Sequence, residues 1–282
     1  MTPELKSAFT RVGFFAIIAF LTYWFCAEAL LLLLPENAIL VVAVFSNFAA
    51  AAVASALALR TFERGRLADI GLGWTAASRR NLSFGLLGGI GAAIVVLLGP
   101  VAFRGADFVP DATQHFAWPN LVFFSIILLF GAIGEEMLFR GYAFQVFMAA
   151  VGPFAAILPF AVLFGFMHAS NPGFTLLAGI NTFLWGVLLG YSFLRSGDLW
   201  LPIGLHFGWN WTLPLLGVNL SGLTMGVTGY TMRWRIGGLW SGGAYGIEGG
   251  LLTTAIVVAL YFYLDKAPIQ TQLPYLLYKD RS

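Results

Sequence analysis

Leu121-Val122-Phe123-Phe124-Ser125-Ile126-Ile127-Leu128-Leu129-Phe130-Gly131-Ala132-Ile133-Gly134-Glu135-Glu136-Met137-Leu138-Phe139-Arg140-Gly141 is a nearly unbroken apolar run that closes on two carboxylates and a guanidinium. An ionisable side chain in mid-bilayer costs at least about 2.5–3.5 kcal/mol on insertion scales, so three of them here must face a protein interior or a wet cavity. The rest of the chain has the same character. Of its 282 residues, 59% are hydrophobic and 10% charged, against about 25% charged in soluble domains. A water-soluble fold is excluded.

Working outward, apolar segments fall near residues 12–34, 38–59, 82–103, 119–148, 153–169, 174–194, 199–217 and 248–264. A bilayer core about 30 Å thick takes about 20 apolar residues per helix, so the expected fold is all-α, a polytopic membrane protein with about eight transmembrane helices. Residues 1–282 read as a single integral membrane domain. The first segment follows Lys6 and Arg11 and runs to about Leu34, longer than the roughly 7–15-residue core of a cleaved signal peptide, and reads as a retained span. Eight spans put both termini on one side, together with Lys6, Arg11, Arg60, Arg64, Arg66, Arg79, Arg80, Arg195, Lys266, Lys279 and Arg281; the other side holds Arg104, Arg233 and Arg235. Cytoplasmic loops carry the excess of basic residues, so a multi-pass protein of the cell membrane with cytoplasmic termini is expected.

Other classes find little support. A net charge of +2 without a run of like charges gives no footprint for nucleic acid. Cys26, the single cysteine, allows no disulfide framework or cysteine metal cluster. No inverted internal repeat of the transporter kind is visible. The glycine-rich stretch from Gly237 to Gly243 lacks nucleotide-loop spacing and reads as a flexible or re-entrant external loop. Gly186/Gly190 and Gly204/Gly208 are small-residue pairs suited to close helix packing in lipid.

Glu136 and Arg140 are four apart and share a helix face, able to pair, whereas Glu135 is rotated by about 100°. One glutamate reads as structural and the other as available. His168 ends the fifth apolar segment, and His206 stacks over Asn210 in the seventh. A free carboxylate, two imidazoles and an amide are the groups that amide-bond hydrolysis needs. The glutamate can act as general base on water, with His168 orienting that water, and His206 with Asn210 can stabilise an oxyanion. The same groups could instead be interhelical glue, serve a non-enzymatic binder or transporter, or, as Glu135, His168 and His206, hold a zinc ion. Measured from the span starts, Glu135, His168 and His206 sit at roughly 24, 22 and 10 Å, which simple alternating crossings do not reconcile. Tilt, a break near Gly141 or helices ending in a wet cavity are the possible remedies.

Three motifs carry a resemblance. Glu135-Glu136-x-x-x-Arg140, Phe164-x-x-x-His168 and His206-x-x-x-Asn210 resemble, in order and separation, those of the CAAX-processing and bacteriocin-processing (CPBP, or ABI) membrane proteases, which include the type II CAAX prenyl endopeptidases. The resemblance covers about residues 119–215, and Arg66-Leu67-Ala68-Asp69-Ile70-Gly71-Leu72 is similar to a stretch often seen in bacterial members. It implies an eight-helix fold and a glutamate-dependent endopeptidase without metal or cofactor. Glu135 and His168 would activate water, His206 and Asn210 would form the oxyanion site, and Glu136 with Arg140 would support them. The implied partners are a peptide or membrane-protein substrate and membrane lipid. The family name fixes neither a prenylated substrate nor an oligomeric state.

Overall fold

The computed structural model describes residues 2–278; Lys279 and Arg281, counted in the charge asymmetry above, lie outside the described residues. The protein is mostly helical. Its α-helices are α1 (Pro3–Leu33), α2 (Ile39–Ala58, prolonged by a π turn over Leu59–Glu63), α3 (Ala76–Ala102), α4 (Trp118–Arg140), α5 (Tyr142–Val151), α6 (Pro153–Met167), α7 (Leu176–Ser196), α8 (Trp200–Leu215), the single turn α9 (Gly238–Ser241), α10 (Leu251–Lys266) and the single turn α11 (Tyr275–Tyr278). Three of the long helices begin on a threonine whose hydroxyl accepts a backbone N–H of the first turn: Thr2 from Leu5, Thr75 from Ser78 and Thr175 from Ala178. Such caps satisfy donors that a helix start otherwise leaves orphaned.

Every apolar segment foreseen from sequence lies on a helix, but among the described residues five helical segments are long and apolar enough to cross a bilayer: Pro3–Leu33, Glu36–Glu63, Ala76–Ala102, Trp118–Val151 and Leu176–Ser196. Helices α6, α8 and α10, at 15 or 16 residues, rise only about 22–24 Å at 1.5 Å per residue. One small sheet interrupts the helical pattern. β1 (Ala106–Pro110) pairs antiparallel with β2 (Tyr230–Trp234), and Asp107 on β1 binds Arg235 at 2.7 Å and Arg233 at 3.3 Å. The Arg235 hydrogen bond, with Arg233 behind it, holds the Asp107 carboxyl below the usual carboxylate range.

The glycine pairs work as close-packing devices. A Cβ at Gly85 would collide with the Leu201 carbonyl oxygen and one at Gly89 with that of Leu205, while at Gly204 and Gly208 it would press on the α3 backbone at Leu82 and Leu86. Helices α3 and α8 therefore touch backbone to backbone. Gly186 does the same for α7 against Ala161 of α6, where a Cβ would lie 2.8 Å from the Ala161 Cα. Without a hydrophobic force between helices in lipid, this contact is what holds them.

Of the remedies considered for the depth mismatch, the structure has the break. Helix α4 stops at Arg140, and the chain turns at Gly141, with φ −75° and ψ −135°, before α5 begins. A Cβ at Gly141 would strike the Met137 carbonyl oxygen. Helix α8, for its part, starts from a recessed point. Asp198 is 2% exposed, its Oδ1 accepts the N–H groups of Trp200 and Leu201, and burial raises its carboxyl pKa despite the hydrogen bonds from Asn81 and Leu201. The count that set His206 at a shallow level took α8 to start at the surface, whereas it starts beside a buried residue.

Replacing Gly85 or Gly204 by valine puts a branched side chain where backbone now sits. Overpacking of this kind costs about 1–3 kcal/mol, so each variant should unfold at a lower temperature than the unsubstituted chain when followed by circular dichroism in detergent.

Candidate active site

The break at Gly141 leaves Glu135, Glu136 and Arg140 on the last turns of α4. Glu136 is sealed from solvent and Arg140 is 1% exposed. Arg140 Nη1 donates to Glu136 Oε1 at 3.1 Å, and Nη2 donates across to the Gly186 carbonyl of α7 at 3.0 Å. From α8, His206 Nδ1 lies 2.8 Å from the same Glu136 oxygen. The carboxylate accepts, so Nδ1 carries the proton in that contact. Burial of either charge alone would be strongly unfavourable; here each has a partner.

Glu135 is different. Its side chain keeps 28% exposure, and its Oε2 lies 3.8 Å from His206 Nε2 without a hydrogen-bond partner. His206 therefore stands between two carboxylates, bonded to the buried one and facing the open one. Phe164 organises the rest. The Arg140 guanidinium lies 4.7 Å from its ring centre, a cation–π distance, and the rings of His168 and His206 sit at 4.8 Å and 6.0 Å from it. The aromatic residue of the second motif is a spacer that sets where both imidazoles stand. His168 caps α6, and its Nδ1 is 2.8 Å from the Phe164 carbonyl oxygen. A carbonyl can only accept, so Nδ1 is protonated and, in the neutral ring, Nε2 is left as an acceptor.

Two adjoining cavities share His168, Asn210 and Ser221 in their walls. The wider, about 280 Å³, is lined by Glu135 and Asn47 and otherwise mostly by apolar side chains of α2 and α4 and of the loop after α8. The narrower, about 30 Å³, is lined by His206, Thr182, Trp185, Trp209 and Glu248, room for about one or two waters. Trp185 Nε1 is buried without a hydrogen-bond partner. Burial, and after it the Glu248 carboxylate, push the Tyr245 phenol up to about 12, so it stays a neutral donor near neutral pH.

All six residues singled out from sequence thus gather here: Glu135, Glu136, Arg140 and His206 by direct contact or near contact, His168 and Asn210 on the shared cavity wall. Among the described residues, no group of three His, Cys, Asp or Glu side chains is placed to hold a metal ion. Sequence reading passed over Glu248, Trp209, Ser221 and Asn47. Glu248 carried a usable signal, as a lone acid in Gly246-Ile247-Glu248-Gly249-Gly250. The others look like ordinary loop or packing residues until the helices are assembled. His115, by contrast, is exposed in its loop, away from these cavities.

Residues 117–212 match the family model described as Rce1-like, type II CAAX prenyl endopeptidase Rce1-like. The matched stretch runs from the start of α4 into α8 and contains all three motifs, whereas α1 to α3 and the chain beyond α8 lie outside it. No curated protein matches the chain. The Rce1-like segment, with five helices long and apolar enough to span a bilayer, places the protein in a membrane.

Arg140 is the test of the buried cluster. Arg140→Ala leaves Glu136 with a single partner and should cost about 3–5 kcal/mol, as removal of one half of a buried ion pair does. Arg140→Lys should recover only part of this, because a point charge cannot span both Glu136 and Gly186. Unfolding temperatures of the purified variants measure both.

Proposed function

We propose that the protein is an intramembrane endopeptidase that cleaves a peptide or membrane-protein substrate with water activated by Glu135 and His168. The observation that carries this reading is the asymmetry of the two glutamates. Glu136 is sealed and bonded to Arg140 and His206, while its neighbour Glu135, with no hydrogen bond to its Oε2, opens onto the cavity that also holds His168 and Asn210. The family description attached to residues 117–212 points the same way.

In this mechanism a water sits between Glu135 and His168. Glu135 takes one proton as general base, and His168 Nε2 accepts the hydrogen bond that orients the other. The hydroxide attacks the scissile carbonyl carbon, and the resulting oxyanion receives hydrogen bonds from Asn210 Nδ2 and from the second N–H of a doubly protonated His206. Such donors are worth about 3–4 kcal/mol in the transition state. Glu136 keeps the first N–H of His206 engaged and so fixes the ring. Glu135 then returns its proton to the leaving amine. Neither a metal nor a cofactor takes part.

Within the same reading, the chain crosses the cell membrane about eight times as one domain, with α6, α8 and α10 as short inner crossings and both termini cytoplasmic. Ties at one end, Arg11 to Glu63, Arg80 to the Pro268 carbonyl and Arg195 to that of Asp265, favour grouping the basic loops on one face. The Asp107 pairs with Arg233 and Arg235 hold the opposite set.

Glu135→Gln and His168→Ala should each lower cleavage by about 10²-fold or more, the range for loss of general acid–base catalysis, without changing the unfolding temperature. Mass spectrometry of peptides released in membranes carrying the unsubstituted chain or the Glu135→Gln variant measures this, and unchanged release would overturn the assignment. Release should also survive a strong chelator; its loss would favour a zinc site built on Glu135, His168 and His206.

A further inference from the structure

Glu248 is a second carboxylate in the walls of these cavities and, unlike Glu135, a buried one, contributed by the glycine-rich segment before α10. The last part of that segment is turned inward: residues 245–250 are all buried, while Gly237 to Trp240 and Gly243 are exposed. Both oxygens of Glu248 are committed. Oε1 accepts the indole N–H of Trp209 at 3.0 Å, and Oε2 accepts the backbone N–H of Ser221 at 2.6 Å and its hydroxyl at 2.9 Å. A carboxylate so occupied is poorly placed to take a proton from water. It is well placed to hold two pieces of backbone together.

The piece held is the loop between α8 and β2. Its residues Leu220, Ser221, Leu223 and Met225 line the wide cavity beside Glu135, and Ser221 has φ +47°, a left-handed conformation that non-glycine residues adopt only when their surroundings enforce it. The enforcing contacts are visible. Besides the two bonds to Glu248, Gly222 N–H donates to the Tyr245 carbonyl at 2.8 Å and Asn219 Nδ2 to that of Ala244 at 3.1 Å. The clamp is itself anchored from α7, where Asn181 Nδ2, fully buried, donates to the carbonyls of Glu248 and Gly250 at 2.8 and 2.9 Å.

We infer that Glu248 is a positioning residue that clamps the Leu220–Met225 loop as one wall of the substrate cavity, so that it governs how tightly a substrate is held rather than the chemistry performed on it. The loop part of this inference stands on geometry alone; the substrate part rests on the peptidase reading. Glu248 lies outside the segment matched by the family model, on an element this chain supplies separately.

Glu248→Gln keeps one acceptor for Trp209 but turns an amide N–H₂ toward the Ser221 N–H. In the full chain in detergent, hydrogen exchange at residues 217–229 should then rise about tenfold while α4 and α8 stay protected. With a short internally quenched peptide cleaved by the unsubstituted chain, KM should rise about tenfold and kcat stay within about twofold, the signature of lost binding uniform to ground and transition states. Ser221→Ala removes one bond without touching a buried charge and should give a smaller change of the same kind. The double variant should be no worse than Glu248→Gln, since both act through one contact. Unchanged exchange in the loop, or a loss of kcat with KM preserved, would overturn the assignment; if Glu248→Gln fails to fold, Ser221→Ala decides by the same two readouts. Absence of cleavage by the unsubstituted chain would instead sink the peptidase reading and the substrate role with it, and the exchange comparison would still decide the clamp.

Discussion

The carboxylate of Glu136 lies wholly out of contact with solvent, and an ion so placed is tolerable only if every nearby helix is set to answer it. Arg140 answers from one turn further along α4, and its second nitrogen needs the Gly186 carbonyl of α7. His206 answers from α8. Displacing any of these three helices by a few ångströms would strand a charge in a medium that cannot hydrate it. The cluster therefore acts as a gauge for the assembly, and the close backbone contacts of α3 with α8 and of α6 with α7 are what let the gauge be met. Glycine at 85, 89, 186, 204 and 208 is the covalent means to that end.

With Glu136 spoken for, Glu135 is left over, one residue along and on another face. Its exposure to a cavity and its distance from His206 follow from the same constraint, since the ring bonded to Glu136 presents its other nitrogen to Glu135. Phe164 adds a second constraint, because one ring meets Arg140, His168 and His206 at once. Sealed and open groups are thus neighbours in sequence and share partners, and substitutions at the sealed residues will disturb the open ones through the ring of His206. Glu248 is a second buried carboxylate with bonds to separate segments, both of its oxygens being engaged.

Much of this was legible in the chain. The apolar segments were located correctly, because a lipid environment forces backbone hydrogen bonds to be satisfied within each segment and so ties apolar runs to helices. The division between Glu135 and Glu136 was also legible, as helical spacing alone puts Glu136 and Arg140 on one face. The glycine pairs were readable as packing sites, though not their partners. What escaped were the features that depend on residues distant in sequence. The β1–β2 ribbon pairs Ala106 with Trp234 across a separation that local patterning does not sense. Ser221 and Trp209 have no distinguishing neighbours until Glu248 is brought to them. Apolarity likewise did not reveal that α6, α8 and α10 are only 15 or 16 residues long, because it does not separate a helix buried in protein from one bathed in lipid.

The sequence by itself determined that the protein lives in a membrane, that it is built of helices, and that its costly polar residues sit on α4, at the end of α6 and on α8, since each of these follows from local composition and a fixed helical period. Only the tertiary structure decided that those residues meet, that α4 breaks at Gly141, that His206 lies between the two carboxylates and that Glu248 joins them. The physical reason is that convergence depends on where each helix begins and how closely its backbone can approach the next, and those quantities are set by contacts between segments far apart along the chain.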